Sequence, residues 1–232
     1  MLDSKIKEKL IISSDDFGIS QLANQKILAL VRLGKMDRVE VMMNGFVSQE
    51  EADELGRSGV KIDIHFDLED GIKKDRKLKE GVVKRAVIFL WNYISGKTRG
   101  RGIEKKWSEQ VDKFMKLFGK KPDGASSHQY IHYFPPYFRM ILKLAKKYEI
   151  PFVRFGAKGI IQEKSNVCRI LSILQKMDRK YFDASFSYPD YMVSLDWIGN
   201  LDSFLKNLPE GKTEIICHPE RVEEYDIILK YF

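Results

Sequence analysis

Short apolar and β-branched runs alternate with amphipathic helical stretches along the whole of this 232-residue chain. The hydrophobic periodicity predicts seven strands, at about 10–14, 38–43, 60–66, 123–128, 151–155, 181–186 and 213–217. A helix is predicted after each strand, and this order favours a parallel α/β sheet. The chain is short for the usual eightfold barrel. We therefore predict a single-domain (β/α) barrel-like fold, a seven-stranded or incomplete TIM-type barrel with parallel strands, with an open doubly wound sheet as the alternative.

One stretch, at about 67–102, breaks this alternation. It combines a charged loop, a predicted helix at about 82–94 and a run rich in glycine and arginine at 95–102. We interpret it as an insertion over one end of a single domain that covers residues 1–232. The rest of the sequence contains no internal repeat and no convincing domain linker.

The composition indicates a folded protein with a modest basic excess. Hydrophobic residues make up 44% of the chain and charged residues 31%, which is ordinary for a globular protein. The formal charge of +7 would suit an anionic partner, but its densest clusters, at 73–79 and 97–106, flank predicted loops and are explained by a solvated surface. Since no nucleic-acid-binding motif accompanies the charge, we expect no specific nucleic-acid partner.

Cysteine spacing and the absence of long apolar runs indicate which cellular location to expect for the protein. Cys168 and Cys217 are far apart, so neither a disulfide framework nor a thiolate zinc site is predicted. The N-terminal residues lack the apolar run of a signal peptide, and no stretch reaches the roughly 18 apolar residues of a membrane span. A cytoplasmic location without a membrane span is the default expectation. The oligomeric state stays open, and a homo-oligomer is compatible with the sequence.

Polar residues collect where the predicted strands end. Asp15 and Asp16 follow the first strand, and alone they would suit a turn or a helix cap. The chain has four histidines, and all of them lie at or just beyond predicted strand ends: His65, His128, His132 and His218. Asn44 and Arg154 occupy similar positions. Because the carboxyl ends of parallel strands gather on one face, we predict a shared site rather than separate structural roles.

Two imidazoles and one carboxylate suit a catalytic metal site. Such a set holds a divalent cation while leaving positions for water and substrate, and a second carboxylate beside it could take a proton from the cation's water. The donors suit zinc and also iron, manganese, cobalt or nickel. Non-haem iron oxygenases use the same ligand set, but the alternating strands and helices and the adjacent second aspartate favour hydrolysis.

The polar segments match a known family in order. The Ser-Asp-Asp-Phe-Gly run at 14–18 resembles the opening signature of the YdjC-like carbohydrate deacetylases, which include chitooligosaccharide and hopanoid-biosynthesis deacetylases. Further family blocks are matched by Met-Asn-Gly at 43–45, Asp-Ile-His at 63–65, Ser-His-Gln-Tyr-Ile-His at 127–132, Pro-Phe-Val-Arg at 151–154 and Cys-His-Pro at 217–219. The resemblance covers essentially the whole chain.

This resemblance implies a barrel-like α/β fold, a divalent metal ion and removal of an acetyl group from an N-acetylated sugar or oligosaccharide. By motif position, the metal ligands would be Asp16, His65 and His128. Magnesium or zinc is the expected ion, and the substrate is the expected partner.

The resemblance also implies roles around the metal. Asp15 would be the base that takes a proton from the metal-bound water, and protonated His218 would be the acid that donates to the departing amine. Asn44, His132 and Arg154 would bind the substrate, shape the pocket or orient those groups. Two alternatives to deacetylation are another metal-dependent hydrolase, such as a phosphoesterase, and a non-catalytic carbohydrate-binding homologue.

Three positions depart from the family pattern. Ser126 stands where family members often carry aspartate, Tyr130 where they often carry a further histidine, and Glu220 where glycine usually follows His-Pro. These changes spare the implied metal ligands. They are expected to alter the groups that tune the metal site and the choice of substrate.

Overall fold

A computed structural model of the protein describes residues 3–68, 101–161 and 166–232. Apart from its ends, the insertion predicted at 67–102 lies outside these residues, as does the helix predicted within it. The described residues form one sheet of eight parallel strands: β1 (Leu10–Phe17), β2 (Arg38–Val41), β3 (Lys61–Phe66), β4 (Gly124–Ser127), β5 (Phe152–Val153), β6 (Gly159–Ile160), β7 (Tyr191–Ser194) and β8 (Thr213–Cys217). The strand order is β5-β4-β3-β2-β1-β8-β7-β6, which confirms the predicted incomplete barrel.

Helices surround this sheet, and serine side chains cap the first turns of two of them. The described helices are α1 (Ser4–Lys7), α2 (Gln21–Arg32), α3 (Gln49–Ser58), α4 (Arg101–Phe118), α5 (Pro135–Lys147), α6 (Asn166–Asp178), α7 (Leu201–Lys206) and α8 (Val222–Tyr231). Ser20 begins α2 by accepting the Ala23 amide, and Ser48 and Glu51 form a capping box on α3. Among these described helices, none is long and apolar enough to cross a membrane.

Aromatic packing fixes the end of β3, where one candidate site residue lies. Trp107 of α4 is fully buried and stacks on Phe66 with 4.7 Å between ring centroids. Its indole Nε1 donates to the carbonyl oxygen of Asp67 at 2.9 Å. A buried indole stabilises through both its apolar area and its satisfied N–H. The contact therefore holds α4 against the strand that carries His65.

The predicted strand at 181–186 is wrong. A 3-10 turn occupies Arg179–Tyr181, and the chain then bends where the Asp183 carboxylate accepts the amide of Ser185 at 2.9 Å. A side chain that caps a local turn in this way competes with strand pairing. The strands β6 and β7 lie on either side of this loop in the sequence, so the sheet has eight strands instead of seven.

The helix predicted at about 195–207 is shorter than expected. A 3-10 turn covers Leu195–Trp197, and α7 begins only after Asn200. The Asn200 side chain accepts the Ser203 amide at 2.9 Å, which makes it the helix cap. Asn200 therefore starts a helix at a position that lies within the predicted one.

A buried carboxylate at the end of α6 carries a stability prediction. Asp178 is fully buried, and neither carboxylate oxygen has a hydrogen-bond partner within the described part of the chain. Burial raises its pKa to about 7, although Lys180 and Arg139 act to lower it. The folded protein thus binds more protons here than the unfolded chain does between about pH 4 and 7, so this group's contribution to stability falls as the pH rises through that range.

Asp178→Asn should therefore stabilise the protein at pH 8, by about 1–3 kcal/mol in the free energy of unfolding, because it removes an unpaired buried charge. At pH 4 the gain should be small, since the wild-type carboxyl is already protonated there. Urea unfolding of both proteins at the two pH values measures the difference. An equal gain at both pH values would contradict this explanation.

Candidate active site

The end of β1 departs from regular strand geometry and carries two candidate carboxylates. The register with β2 shifts between Ser14 and Phe17, and Asp16 has a φ of 65°. Successive side chains of a regular strand point to opposite faces. Here both Asp15 and Asp16 approach the same ring, with carboxylate oxygens 3.7 and 3.4 Å from His65 Nε2. The strained backbone thus aims two consecutive carboxylates into one site.

Gly18 and Asn24 hold this bend in place. The Gly18 amide donates to the Asn24 side-chain oxygen at 2.6 Å, and the Asn24 amide group donates to the carbonyl of Phe46 at 2.6 Å. Gly18 has a φ of 103°, and a Cβ there would lie 2.9 Å from the Met42 carbonyl oxygen. Only glycine fits this position without displacement of the backbone. Asn24 therefore joins the loops that follow β1 and β2.

Asp16, His65 and His128 come together at the carboxyl ends of β1, β3 and β4. One ligand atom from each lies within 4.8 Å of the others. Asp16 Oδ1 is 3.4 Å from His65 Nε2 and 2.8 Å from His128 Nδ1. Atoms at these separations can share one cation at bonds of about 2 Å. His65 is buried, whereas the His128 side chain is 27% exposed, so the cluster is accessible from one side.

The charge around this cluster favours a cation. The buried charged groups near it include the carboxylates of Asp15, Asp16, Glu40 and Glu214 and the guanidinium of Arg154. Burial alone would lower the pKa of His65, but the neighbouring carboxylates, Asp15 first, raise it to about 10. Burial would raise the pKa of Asp16, but His128 and His65 hold it well below its ordinary value. This excess of negative charge favours the binding of positive charge. Either protons or a divalent cation can supply that charge. The donor set therefore fits the implied metal.

Arg154 connects three of these carboxylates and is itself fully buried. Its Nη1 donates to both oxygens of Asp15 at 2.8 and 3.0 Å, its Nη2 to Glu40 at 3.0 Å, and its Nε to Glu214 at 3.0 Å. Burial would lower the arginine's pKa, but the three carboxylates hold it well above its ordinary value. Both oxygens of the Asp15 carboxylate thus contact one nitrogen of a buried guanidinium, which fixes the orientation of that carboxylate.

His132 contacts the backbone of Arg154. Its ring is fully buried, with Nε2 2.9 Å from the Arg154 carbonyl oxygen and Nδ1 2.7 Å from Ser127 Oγ. Because the carbonyl only accepts, Nε2 carries the proton and Nδ1 accepts from the serine hydroxyl. Burial, reinforced by the charge of Arg154, lowers the pKa of His132 to about 3. His132 is therefore neutral, and neither it nor Arg154 is accessible to a substrate in this structure.

Asn44 lies on the loop after β2 and is half-buried. Its Nδ2 donates to Asp67 Oδ1 at 2.9 Å, and its oxygen accepts from Lys113 Nζ at 3.1 Å. Asp67 directly follows β3, two residues after His65. Asn44 therefore borders the candidate site on a partly exposed loop.

His218 follows β8 and is charged at neutral pH. Its backbone amide donates to Glu224 Oε2 at 2.7 Å, and its Nδ1 lies 3.6 Å from the same oxygen. Burial would lower the pKa of His218, but Glu224, Asp15 and Asp16 together raise it to about 9. The ring is therefore a proton donor held within the field of the two site aspartates.

Residues 9–228 match the family described as YdjC-like protein. The chain belongs to the YdjC-like family. This match confirms the resemblance that the strand-end motifs indicated.

Two relatives agree with this assignment, and one solved structure shares the fold. The chain is 24% identical over 218 residues to a chitooligosaccharide deacetylase of Escherichia fergusonii, covering 92% of this chain and 82% of the relative. It is 26% identical over 155 residues to a carbohydrate deacetylase of Danio rerio, covering 64% of this chain and half of that relative's length. The crystal structure of an Enterococcus faecalis protein described as acting in cellobiose-phosphate cleavage has a TM-score of 0.62 and 18% identity, and the match covers 90% of this chain and 79% of that one. This last likeness supports the fold alone.

Sequence reasoning missed two carboxylates of this YdjC-like site. Glu40 and Glu214 are fully buried on β2 and β8 and share Arg154. A sequence signal existed, because Glu40 lies between Val39 and Val41 in a strand that is otherwise apolar around it. A charged residue in such a strand is buried only with a partner.

Ser126 contacts a candidate metal ligand, and Tyr130 and Glu220 lie near enough to Asp15 and Asp16, respectively, to interact with them electrostatically. Ser126 Oγ is 2.6 Å from His65 Nδ1. Tyr130 is half-buried, and its ring centroid is 5.6 Å from that of Trp197. Glu220 has one buried oxygen without a hydrogen-bond partner among the described residues, and burial raises its pKa.

Proposed function

We propose that this YdjC-like protein is a metal-dependent hydrolase that removes the acetyl group from an N-acetylated sugar or oligosaccharide. The observation that carries the proposal is the cluster of Asp16, His65 and His128 with Asp15 beside it. The deacetylase names of two relatives supply the class of substrate.

Asp16, His65 and His128 would hold the divalent cation, with magnesium or zinc as the expected ion. When bound, the cation would polarise the acetyl carbonyl and lower the pKa of water. The partial exposure of His128 leaves one side of the cluster for the acetamide group to approach. The buried carboxylates keep the ligand atoms in an anionic environment, which favours cation retention.

Asp15 would act as the general base. Arg154 holds its carboxylate by two hydrogen bonds, so its oxygens cannot rotate away from the cluster. Asp15 Oδ2 lies 3.7 Å from His65 Nε2, close to the proposed cation position without being one of the three clustered donors. A fixed carboxylate at that position can accept a proton from the attacking water.

His218 would act as the general acid. Amides hydrolyse poorly because the amine leaves badly unless its nitrogen is protonated, so a proton donor is required on the leaving-group side. The pKa of His218, raised to about 9, keeps the ring protonated at neutral pH. Asn44 would contact the substrate from its partly exposed loop, whereas His132 and Arg154 would orient the base.

A screen for acetate release tests the proposed function. The purified protein is incubated with N-acetylglucosamine oligomers and other acetylated glycans, with and without added divalent cations. We expect acetate release that chelation abolishes and added cation restores. Release of phosphate from phosphorylated sugars in place of acetate would identify the phosphoesterase alternative. Sugar binding without turnover would indicate a non-catalytic homologue.

The pH dependence of acetate release tests the role of His218. Because the acid must be protonated, the rate should fall as the pH rises above the pKa of His218. Glu224→Gln removes a carboxylate that raises this pKa, so the alkaline fall should move to lower pH. Glu223→Gln is a matched control, since Glu223 is the exposed neighbour on α8. An alkaline fall at the same pH in all three proteins would contradict the assignment.

A further inference from the structure

A hydroxyl connects the candidate metal ligand His65 to a carboxylate on another strand. Ser126 Oγ lies 2.6 Å from His65 Nδ1, and the same hydroxyl donates to Glu40 Oε2 in a short hydrogen bond. All three side chains are buried, with exposures of 0–1%.

Strand register explains how the three residues meet. His65 of β3 pairs directly with Ser126 of β4, and Glu40 of β2 pairs with Asp63 of β3. Asp63 and His65 are two residues apart, so they share one face of the sheet. Glu40, His65 and Ser126 therefore lie on the same face of three neighbouring strands, within the reach of direct and diagonal cross-strand contacts.

The hydrogen-bond donors fix the direction of each bond. Glu40 also accepts from Arg154 Nη2 at 3.0 Å, so it is an ionised carboxylate that can only accept. The single hydroxyl proton of Ser126 therefore goes to Glu40. Ser126 Oγ must then accept from His65 Nδ1–H, which leaves Nε2 as the ring atom that faces Asp16.

We propose that Glu40 and Ser126 form a relay that positions His65 with its Nε2 toward the cation. Glu40 supplies a carboxylate from β2 whose Oε2 lies 3.5 Å from His65 Nδ1, and the serine hydroxyl bridges the two groups by shorter hydrogen bonds. This inference rests on the proposed function, because it assigns a role toward the cation of that same site. Glu40 and Ser126 are positioning residues, since neither belongs to the ligand cluster itself.

The same hydrogen-bond network includes Asp15, the candidate base. Glu40 Oε1 accepts from Arg154, whose Nη1 donates to both oxygens of Asp15. One buried network thus joins a cation ligand and the base through Glu40. Hydrogen-bonded partners of metal-ligating histidines typically change metal affinity about ten- to a hundredfold when they are removed.

Ser126→Ala tests the relay, with cation affinity measured by competition against a chelator. We expect an affinity loss of about ten- to a hundredfold. Ser126→Thr keeps the hydroxyl and should retain most of the affinity. Ser13→Ala is the matched control, because Ser13 is also a buried strand serine, but its hydroxyl donates to Glu214 at 2.6 Å and does not contact His65. Wild-type affinity in Ser126→Ala would overturn the relay.

Glu40→Gln should reduce the affinity as well, and the Glu40→Gln/Ser126→Ala double variant should lose little more than the weaker-binding single variant. Such non-additivity is expected of residues that act as one unit. Fully additive losses would overturn the relay. If Glu40→Gln does not fold because the Arg154 charge loses a partner, the cation affinities of the Ser126 variants still test the proposed relay.

A measurement without any cation separates this inference from the proposed function. The Nδ1–H proton of His65 should give a downfield, slowly exchanging NMR signal in the wild type and a weaker or faster-exchanging one in Ser126→Ala. An identical signal in both proteins would overturn the relay. A wild type that binds no cation and releases no acetate would overturn the proposed function instead, whatever the NMR signal shows.

Discussion

Asp15→Asn is expected to abolish acetate release while leaving cation binding largely intact. The asparagine side chain keeps the shape of aspartate, and its oxygen can still accept a hydrogen bond from Arg154. It has no carboxylate, so it cannot take the proton of the attacking water. General base catalysis contributes about 10²–10⁴-fold, and we expect kcat to fall on that order. Acetate assays and elemental analysis of the same preparation measure the two properties together.

A matched control separates the base from a general effect of losing a buried carboxylate. Asp178→Asn makes the same chemical change at a buried position outside the cluster, and it should retain wild-type kcat. Thermal unfolding of both variants verifies that they are folded under assay conditions. Full activity in Asp15→Asn would show that another group takes the proton.

His65→Ala and His128→Ala should each remove the cation and, with it, the activity. Each change deletes one of three donors that lie within 4.8 Å of one another, and two remaining donors hold a divalent cation poorly. The bound cation should fall from about one per chain to near zero after dialysis. Acetate release should fall below detection in both variants, and added cation should restore little of it.

His218→Asn provides the comparison for these two variants. It changes a histidine of the same site that is outside the cluster, so it should lose activity while keeping the cation. We therefore expect the His65→Ala and His128→Ala variants to be inactive and to lack bound cation. The His218→Asn variant should be inactive but should retain its bound cation. Retention of a full cation complement in His65→Ala would contradict its assignment as a ligand.

The fold followed from the sequence wherever an element was long and periodic. The strands β1 and β3 were predicted from their apolar runs, and the helix α2 from its apolar spacing and its Ser20 cap. The strand β5 lies within the strand predicted at 151–155, whereas β6 and β7 were missed. The strand β6 has only two residues, which is too few for periodicity to define it. The false strand at 181–186 arose because its aromatic residues suit a strand, whereas Phe182 stacks on Tyr188 within the loop.

The sequence indicated which strand-end residues would share a site, but not how they are connected. Parallel strands bring their carboxyl ends together, so the two aspartates and the histidines could be placed at one site. The choice of Asp16, His65 and His128 as candidate metal ligands came from the family resemblance. The burial of Arg154 among three carboxylates depends on strand register and on side-chain direction, which residue order alone does not define. The φ of 65° at Asp16 is equally a property of the folded strand. Glu40 was missed because its partners lie on other strands.

Anomalous X-ray scattering from crystals grown with manganese or zinc would locate the bound cation. We expect one strong peak at about 2 Å from a carboxylate oxygen of Asp16 and from one ring nitrogen each of His65 and His128. Peaks confined to other residues, with none shared by these three side chains at saturating cation, would contradict this expectation.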